Sequence, residues 1–522
     1  MSIGAGLGWA RCRLAAAVSR VGLTMNTDTD IRMSARLFRT GSTARACRTL
    51  RPARPLRLLS LATALLLVGS SVLAQIGQRF PSERRVVPDP VTGVPLIFLT
   101  TQPRGDSKIY PSHPQWTADG QWLVFRSDRA GREAIAVHEA SGEMVQVTEG
   151  GYSGMLNLDM RANRLVFLRE VPGSAAVPRG APRAMQAVEV DLDRLFADSA
   201  SGQPKPEAQA QASYQRVFAT LPAEWHADGD SALDADGQWL YFRIGKEAAA
   251  RRLPPGTRVE PNFGPRNMGA GPTGIARVHR QTGEVQHVVS VGFQIGHVQS
   301  NPWVPGELVF SWETGGKSPQ RTWTVKGDGS GLRPLYPEAP YEWVTHEAVI
   351  TRDEVAFAIM GHRPVPAPVP GAAGASAPAG TSWQGANPGQ ESAWGPSGTR
   401  EKPTGLGIVN LRTREMRIEA QTPRGSGLWH VHGSPDGRWA VGDDFTRNLY
   451  LLDRRSSRLR LLSTGHRDTA RDHPHPTFSP DGRRIQIQSA MLAPDGRAMN
   501  IVVIYVPEAW QNEAPAATDV PR

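Results

Sequence analysis

Cysteine is nearly absent from this chain. Of 522 residues only Cys12 and Cys47 carry a thiol, and both precede residue 75. From Gln75 onward thiolate metal sites are therefore excluded, so any metal must be held by imidazole, carboxylate or carbonyl groups. A chain without cysteine also suits an oxidising compartment and needs no disulfide there. Helical periodicity is equally scarce. Short apolar runs alternate with Gly, Pro, Asp and Asn turns, and 14 tryptophans stand among 53 glycines and 43 prolines. That pattern indicates an all-β chain.

An excess of one charge is missing too, although the formal net charge is +10. Residues 1–74 hold eleven arginines and two aspartates, which leaves 48 Lys+Arg against 47 Asp+Glu in the remainder. The high pI belongs to the leading segment, and no nucleic-acid partner is expected. One long apolar run exists, Leu56 to Ala74, with arginines at 45, 48, 51, 54 and 57 and a small-residue end at Val72-Leu73-Ala74. It reads as a secretory signal peptide behind an N-terminal extension, with Met33 or Met25 as the start; an uncleaved anchor is the alternative. The expectation is a periplasmic or secreted protein with no stable membrane association after cleavage.

The remainder repeats. A strand entered through a turn such as Ala118-Asp119-Gly120 recurs seven times: Gln121–Phe125, Arg164–Phe167, Gln238–Phe242, Glu307–Phe310, Glu354–Phe357, Arg438–Val441 and Arg483–Ile487. Hairpins of the type Ser141-Gly142-Glu143 and Thr282-Gly283-Glu284 recur between them, with degenerate forms at Thr413-Arg414-Glu415 and Ser456-Ser457-Arg458. The uninterrupted spacing of roughly 45 residues is that of a four-stranded propeller blade. A seven-bladed β-propeller over residues 89–507 is predicted. Its N-terminal strand, Val94–Thr100, completes the last blade and so removes the sheet edges. Gln203–Ala212 and the Pro/Ala/Gly-rich tract 364–403 have insertion composition, the latter flexible. Arg251–Pro272 reads as a structured loop, and 508–522 as a disordered tail.

Histidine is the informative residue. His113, His226, His297, His346, His432 and His475 stand at or just before the first strand of a blade, with His430 and His473 in His-x-His spacing beside two of them. Blade starts converge on the propeller axis, and alternate strand residues face one side, so His473 and His475 can address one ligand. Gathered imidazoles serve metal binding or proton transfer; polar lining of a wet channel is the plainer alternative. His138, His279 and His287 fall on hairpins and read as surface. Gly151-Tyr152-Ser153-Gly154 lacks the spacing and α/β context of a nucleophile elbow. No Gly-rich phosphate loop follows a strand.

Gly296-His297-Val298-Gln299-Ser300-Asn301-Pro302, Thr345-His346-Glu347, His473-Pro474-His475-Pro476-Thr477-Phe478 and Tyr110-Pro111-Ser112-His113-Pro114 resemble the blade-start motifs of oligogalacturonate lyases. The resemblance spans residues 89–507 outside the insertions. It implies a divalent metal, Mn²⁺ in type, and β-elimination on an oligouronate substrate. Carried over by position, His346, His473 and His475 match the metal ligands and His297 the base that takes the C5 proton. The chemistry is sound in itself, because a proton beside an ionised carboxylate is too weakly acidic without a cation. Arg126 and Arg363 are candidates for pairing with a uronate carboxylate, and His113 and His432 for further substrate contact. The family's glutamine ligand is replaced by Ala470, where a water or Asp472 is the expected substitute. Repeats of the Ser-Pro-Asp-Gly kind are also similar to periplasmic TolB-like propellers. A non-catalytic binding module is therefore the second reading.

Overall fold

The computed structural model describes residues 75–513 apart from 174–180, 203–204, 206, 263–265, 315–317, 339–341, 362–404 and 421–427. The segment Leu56–Ala74, the tract 364–403 and Arg363 therefore lie outside the described residues. No described helix is long and apolar enough to cross a membrane.

The described strands form seven antiparallel sheets, the blades of a β-propeller. Each recurring strand of the sequence is the second of its blade: Trp122–Arg126, Arg164–Glu170, Trp239–Ile244, Glu307–Trp312, Glu354–Gly361, Trp439–Asp444 and Arg484–Ser489. These strands are apolar at consecutive positions because each blade is covered on both faces. In blade one, Val124 packs toward blade two, beside Leu156 and Phe167. Phe125 points the other way, beside Ile501 and Val503 of blade seven. Seven apolar clusters fill the seven blade-to-blade interfaces. That placement explains why Phe125, Phe167, Phe242, Phe310 and Phe357 are all fully buried.

Ring closure uses the N-terminal chain. Pro95–Phe98 pairs with Asn500–Tyr505, and Arg85–Pro88 adds outside it, so blade seven has five strands in the order Thr477–Phe478, Arg484–Ser489, Asn500–Tyr505, Pro95–Phe98, Arg85–Pro88. Arg79–Phe80 caps the outer edge of blade one. The expected closing strand is thus a closing hairpin.

Two local devices repeat. In the Asp-Gly turns, Gly120, Gly237, Gly437 and Gly482 take positive φ of 69–72°, the left-handed conformation that costs glycine nothing. The turn aspartates accept the following backbone N–H, as Asp119 does from Gln121 and Asp436 from Arg438. The second device is a bulge early in the first strand. Pairing skips between Ser153 and Leu156, Gly296 and Gln299, Thr345 and Ala348, and Leu428 and Val431. A bulge re-aims the extra side chains, here Gly154, His297, His346 and the pair Trp429-His430.

Two stretches differ from their composition. Gln203–Ala212 runs into a helix, Glu207–Tyr214, which packs with the helix Leu192–Ala200 onto the blade one–two interface through Leu195, Ala210 and Tyr214. Glu508–Gln511, expected to lie in the tail, forms a helical turn. Trp510 rests on the blade six–seven core, and Arg438 donates to the Gln511 carbonyl at 2.6 Å.

Candidate functional site

The bulged strand heads of blades four to six, with His475 just before the first strand of blade seven, converge on Tyr110. Its ring centroid lies 4.9 Å from that of His297, 6.4 Å from His346, 6.3 Å from His430 and 5.5 Å from His475. His297, His346 and His475 hold φ of 52°, 55° and 53°. A left-handed backbone at a residue with a side chain carries a cost, and such strain gathers at functional sites. Gly154 takes the same conformation in blade two, where φ is 70°. The bulge therefore sets the backbone, and the residue type decides whether an imidazole reaches the axis.

On one side of Tyr110, His430, Asp443 and His473 place one ligand atom each within 4.8 Å of one another. His430 Nδ1 lies 3.3 Å from Asp443 Oδ1, and His473 Nδ1 lies 3.4 Å from Oδ2. His475 joins through a 2.8 Å contact between its Nε2 and that of His430. His346 stands 4.1 Å from His430, ring to ring. Its Nδ1 bonds the Tyr110 hydroxyl at 2.6 Å. His346 Nε2 and His473 Nδ1 are buried with no hydrogen-bond partner. Burial, then the charges of neighbouring histidines, hold His346 and His475 well below the ordinary imidazole pKa. Burial alone would raise Asp443, but His430 and His473 overcome it and keep the carboxylate ionised. Clustered imidazoles around one anionic carboxylate, with His346 Nε2 left unpartnered, make a donor set that suits a divalent cation.

On the other side, His297 lies between two carboxylates. Its Nε2 is 3.4 Å from Glu313 and its Nδ1 3.5 Å from Glu347. Arg321, fully buried, bonds both acids, at 3.0 Å to Glu347 and 3.3 Å to Glu313. Asp230 of blade three adds a half-buried carboxyl whose pKa desolvation raises to about 6, and it accepts from the Val298 N–H at 3.1 Å.

The remaining predicted residues separate. His113 is buried, bonded to the Ser231 carbonyl at 2.8 Å and to Ser112 at 2.9 Å, and burial lowers its pKa to about 4. It braces blade one against blade three. His432 bonds its neighbour's carbonyl, Gly433, at 2.9 Å and packs near Phe478; burial and the Lys108 ammonium lower its pKa to about 3. His226 holds a left-handed turn before blade three. Arg126 donates to the Gly154 carbonyl at 2.9 Å. Ala470 is buried among Ala490, Ala493, Ala498 and Met499. Asp472 instead meets Gln488 at 3.1 Å and lies 3.5 Å from His475 Nδ1.

Sequence reasoning left His430 without a role and missed Tyr110, Asp443, Glu313, Arg321 and Trp429. Tyr110 and Glu347 lie within quoted motifs. Asp443 ends a second strand, where no sequence signal separates it from Asp444.

No protein-family model matches the chain, and no curated protein matches it in sequence. Solved structures do. An oligogalacturonate lyase in complex with manganese superposes with a TM-score of 0.59 at 17% identity, covering 83% of this chain and 99% of that one. An oligogalacturonate lyase from Vibrio parahaemolyticus gives 0.59 at 18% identity, covering 83% and 100%. A putative TolB from Agrobacterium tumefaciens gives 0.33 at 11% identity, covering 65% and 90%. In fold, this chain is a seven-bladed propeller similar to the oligogalacturonate lyases.

Proposed function

We propose that this chain is an exported, divalent-metal-dependent lyase that cleaves oligogalacturonides or related oligouronates by β-elimination. The observation that carries the reading is the convergence of His430, Asp443 and His473, with the orphaned His346 nitrogen and His475 beside them, opposite a histidine clasped by two carboxylates. Asp443, His430 and His473 would hold the metal, with His346 and His475 adjoining. A bound divalent cation supplies positive charge for the uronate carboxylate and for the dianion that forms when C5 loses its proton.

The chain's own groups do the rest. Glu347, tied to Arg321 through its other oxygen, faces His297 Nδ1, and with a proton on Nδ1 the imidazole presents its Nε2 lone pair. His297 Nε2 takes the C5 proton, the C–H electrons form the C4–C5 double bond, and the C4–O4 bond breaks with its electron pair on O4, which takes a proton from water and leaves as a hydroxyl. Glu347 and Glu313 then stabilise the imidazolium, and Arg321 keeps the two acids from repelling each other. Arg126, which donates to the Gly154 carbonyl, would offer a cation to a uronate carboxylate. Buried walls keep these interactions strong by excluding water.

Ala470, standing where the related lyases carry a glutamine ligand, favours the second reading, a non-catalytic binding propeller. Metal analysis of the purified chain separates the two, followed by incubation of the Mn²⁺-loaded protein with oligogalacturonides. Retained metal and growing ultraviolet absorbance from an unsaturated uronate support the lyase. A chain that stays metal-free after Mn²⁺ loading overturns it.

A further inference from the structure

Aromatic side chains in this molecule are mostly consumed by blade interfaces, but one group sits at the site instead. Trp343, Trp429 and Phe445 form an apolar cluster apart from the seven interface cores. Trp429 is the residue next to His430 in the bulge of blade six. Its ring lies 4.3 Å from that of His346 and 6.0 Å from His473, and 5.3 Å from Phe445. Trp429 and Phe445 are half-buried, so each keeps part of its surface open. Trp343 is buried behind them, 5.8 Å from Trp429, with its Nε1 donor unpartnered. Arg447, two residues after Phe445, is half-buried. Its guanidinium donates to the carbonyls of Asp472 and Ala470, at 3.3 and 3.4 Å, and so ties the Phe445 turn to the loop that bears His473.

The large hydrophobics most exposed among the described residues are Val86, Val91, Val217, Val259, Leu332 and Tyr505, all elsewhere. An aromatic pair with an arginine two residues along the same turn fits one chemical class well. The C–H face of a pyranose stacks on an indole, while its carboxylate needs a cation.

We propose that Trp429 and Phe445, flanked by Arg447, form a sugar-stacking subsite for the uronic-acid residue next to the one held at the histidine–Asp443 group. The assignment rests on the oligouronate reading for the identity of its ligand. It makes binding depend on chain length, because a single uronate cannot reach both places. Arg447 makes the shelf select acidic over neutral sugars.

Calorimetric titration with trigalacturonate tests this in the Mn²⁺-loaded His297→Gln background, where the base is removed and the ligand persists. Trp429→Ala in that background should weaken binding about tenfold, a loss of about 1.4 kcal/mol, while Trp429→Phe keeps most of it. Phe445→Ala, in the turn after the second strand of blade six, should lose severalfold and serves if Trp429→Ala does not fold. Maltotriose, a neutral trimer, should bind neither protein measurably. Equal affinity with and without Trp429, or no trigalacturonate binding by the parent, overturns the subsite. The lyase reading is judged separately, by unsaturated product from the unaltered chain. Failure there leaves a Trp429-dependent affinity standing.

Discussion

His297 Nδ1 and Glu347 Oε1 face each other at 3.5 Å, and both atoms are buried without a hydrogen bond. The other Glu347 oxygen is held by Arg321 at 3.0 Å. A small movement would close the gap, and the pair is strongest when His297 carries a proton. In the proposed lyase Glu347 would act through His297, as a positioning residue.

Glu347→Gln should therefore lower kcat about a hundredfold with KM changed less than about twofold, and Glu347→Asp should recover part of the loss. Steady-state kinetics on oligogalacturonide reads both. An equal fall in kcat for Gln and Asp, accompanied by a raised KM, would indicate loss of structure and not of orientation.

Asp443 should govern metal retention. Mn²⁺ at about a hundred times its dissociation constant adds about 2.7 kcal/mol to the unfolding free energy, and chelation removes it. Asp443→Ala and His473→Ala should each weaken Mn²⁺ binding by about tenfold or more and shrink that gain. Thermal melts with and without chelator, alongside elemental analysis, measure it. An undiminished Mn²⁺ shift in both variants would rule this donor set out.

Acid should destabilise the propeller through histidines that lie outside the site. His113 and His466 are buried, and burial lowers each from 6.5 to about 4. The unfolded chain takes up these protons below about pH 6.5 while the fold refuses them until about pH 4. Stability is thus intact above 6.5 and falls across that window, by about 3 kcal/mol for each group. Urea unfolding at pH 7.5, 5.5 and 4.5 should show the decline, and His466→Gln, replacing a ring that bonds Ser463 and Ser489, should flatten it. A slope unchanged in the variant removes His466 from the explanation.

Gly154 tests the bulge that aims the site histidines. A Cβ there would come within 2.1 Å of the Gly229 carbonyl oxygen, and φ is already +70°. Gly154→Ala should cost about 2–4 kcal/mol, visible as a lower denaturant midpoint. A variant as stable as the parent would mean that blades two and three can part at no cost.

Much of this architecture is legible in local pattern. Val124 and Phe125 announce a strand buried on both faces, and Asp119-Gly120 announces the turn before it. The helix Glu207–Tyr214 was not legible, because its alanines and glutamines have no strong amphipathic period and it is held by tertiary contacts of Ala210 and Tyr214. Within it, Gln211 donates to the carbonyl of Glu149, in the segment that links blades one and two.

Sequence alone determined the seven blades, the closing N-terminal strand and the placing of histidines at strand heads, since each depends on turn chemistry and apolar alternation within a few dozen residues. Only the tertiary structure decided which histidines meet. Tyr110 and His346 are bonded across 236 positions of chain, and His430 joins Asp443 and His473 while His113 and His432 turn to backbone carbonyls. The physical reason is the bulge together with the axis. The extra residues of a bulge rotate a side chain into or out of the channel, and ring closure then sets its distance from residues of other blades.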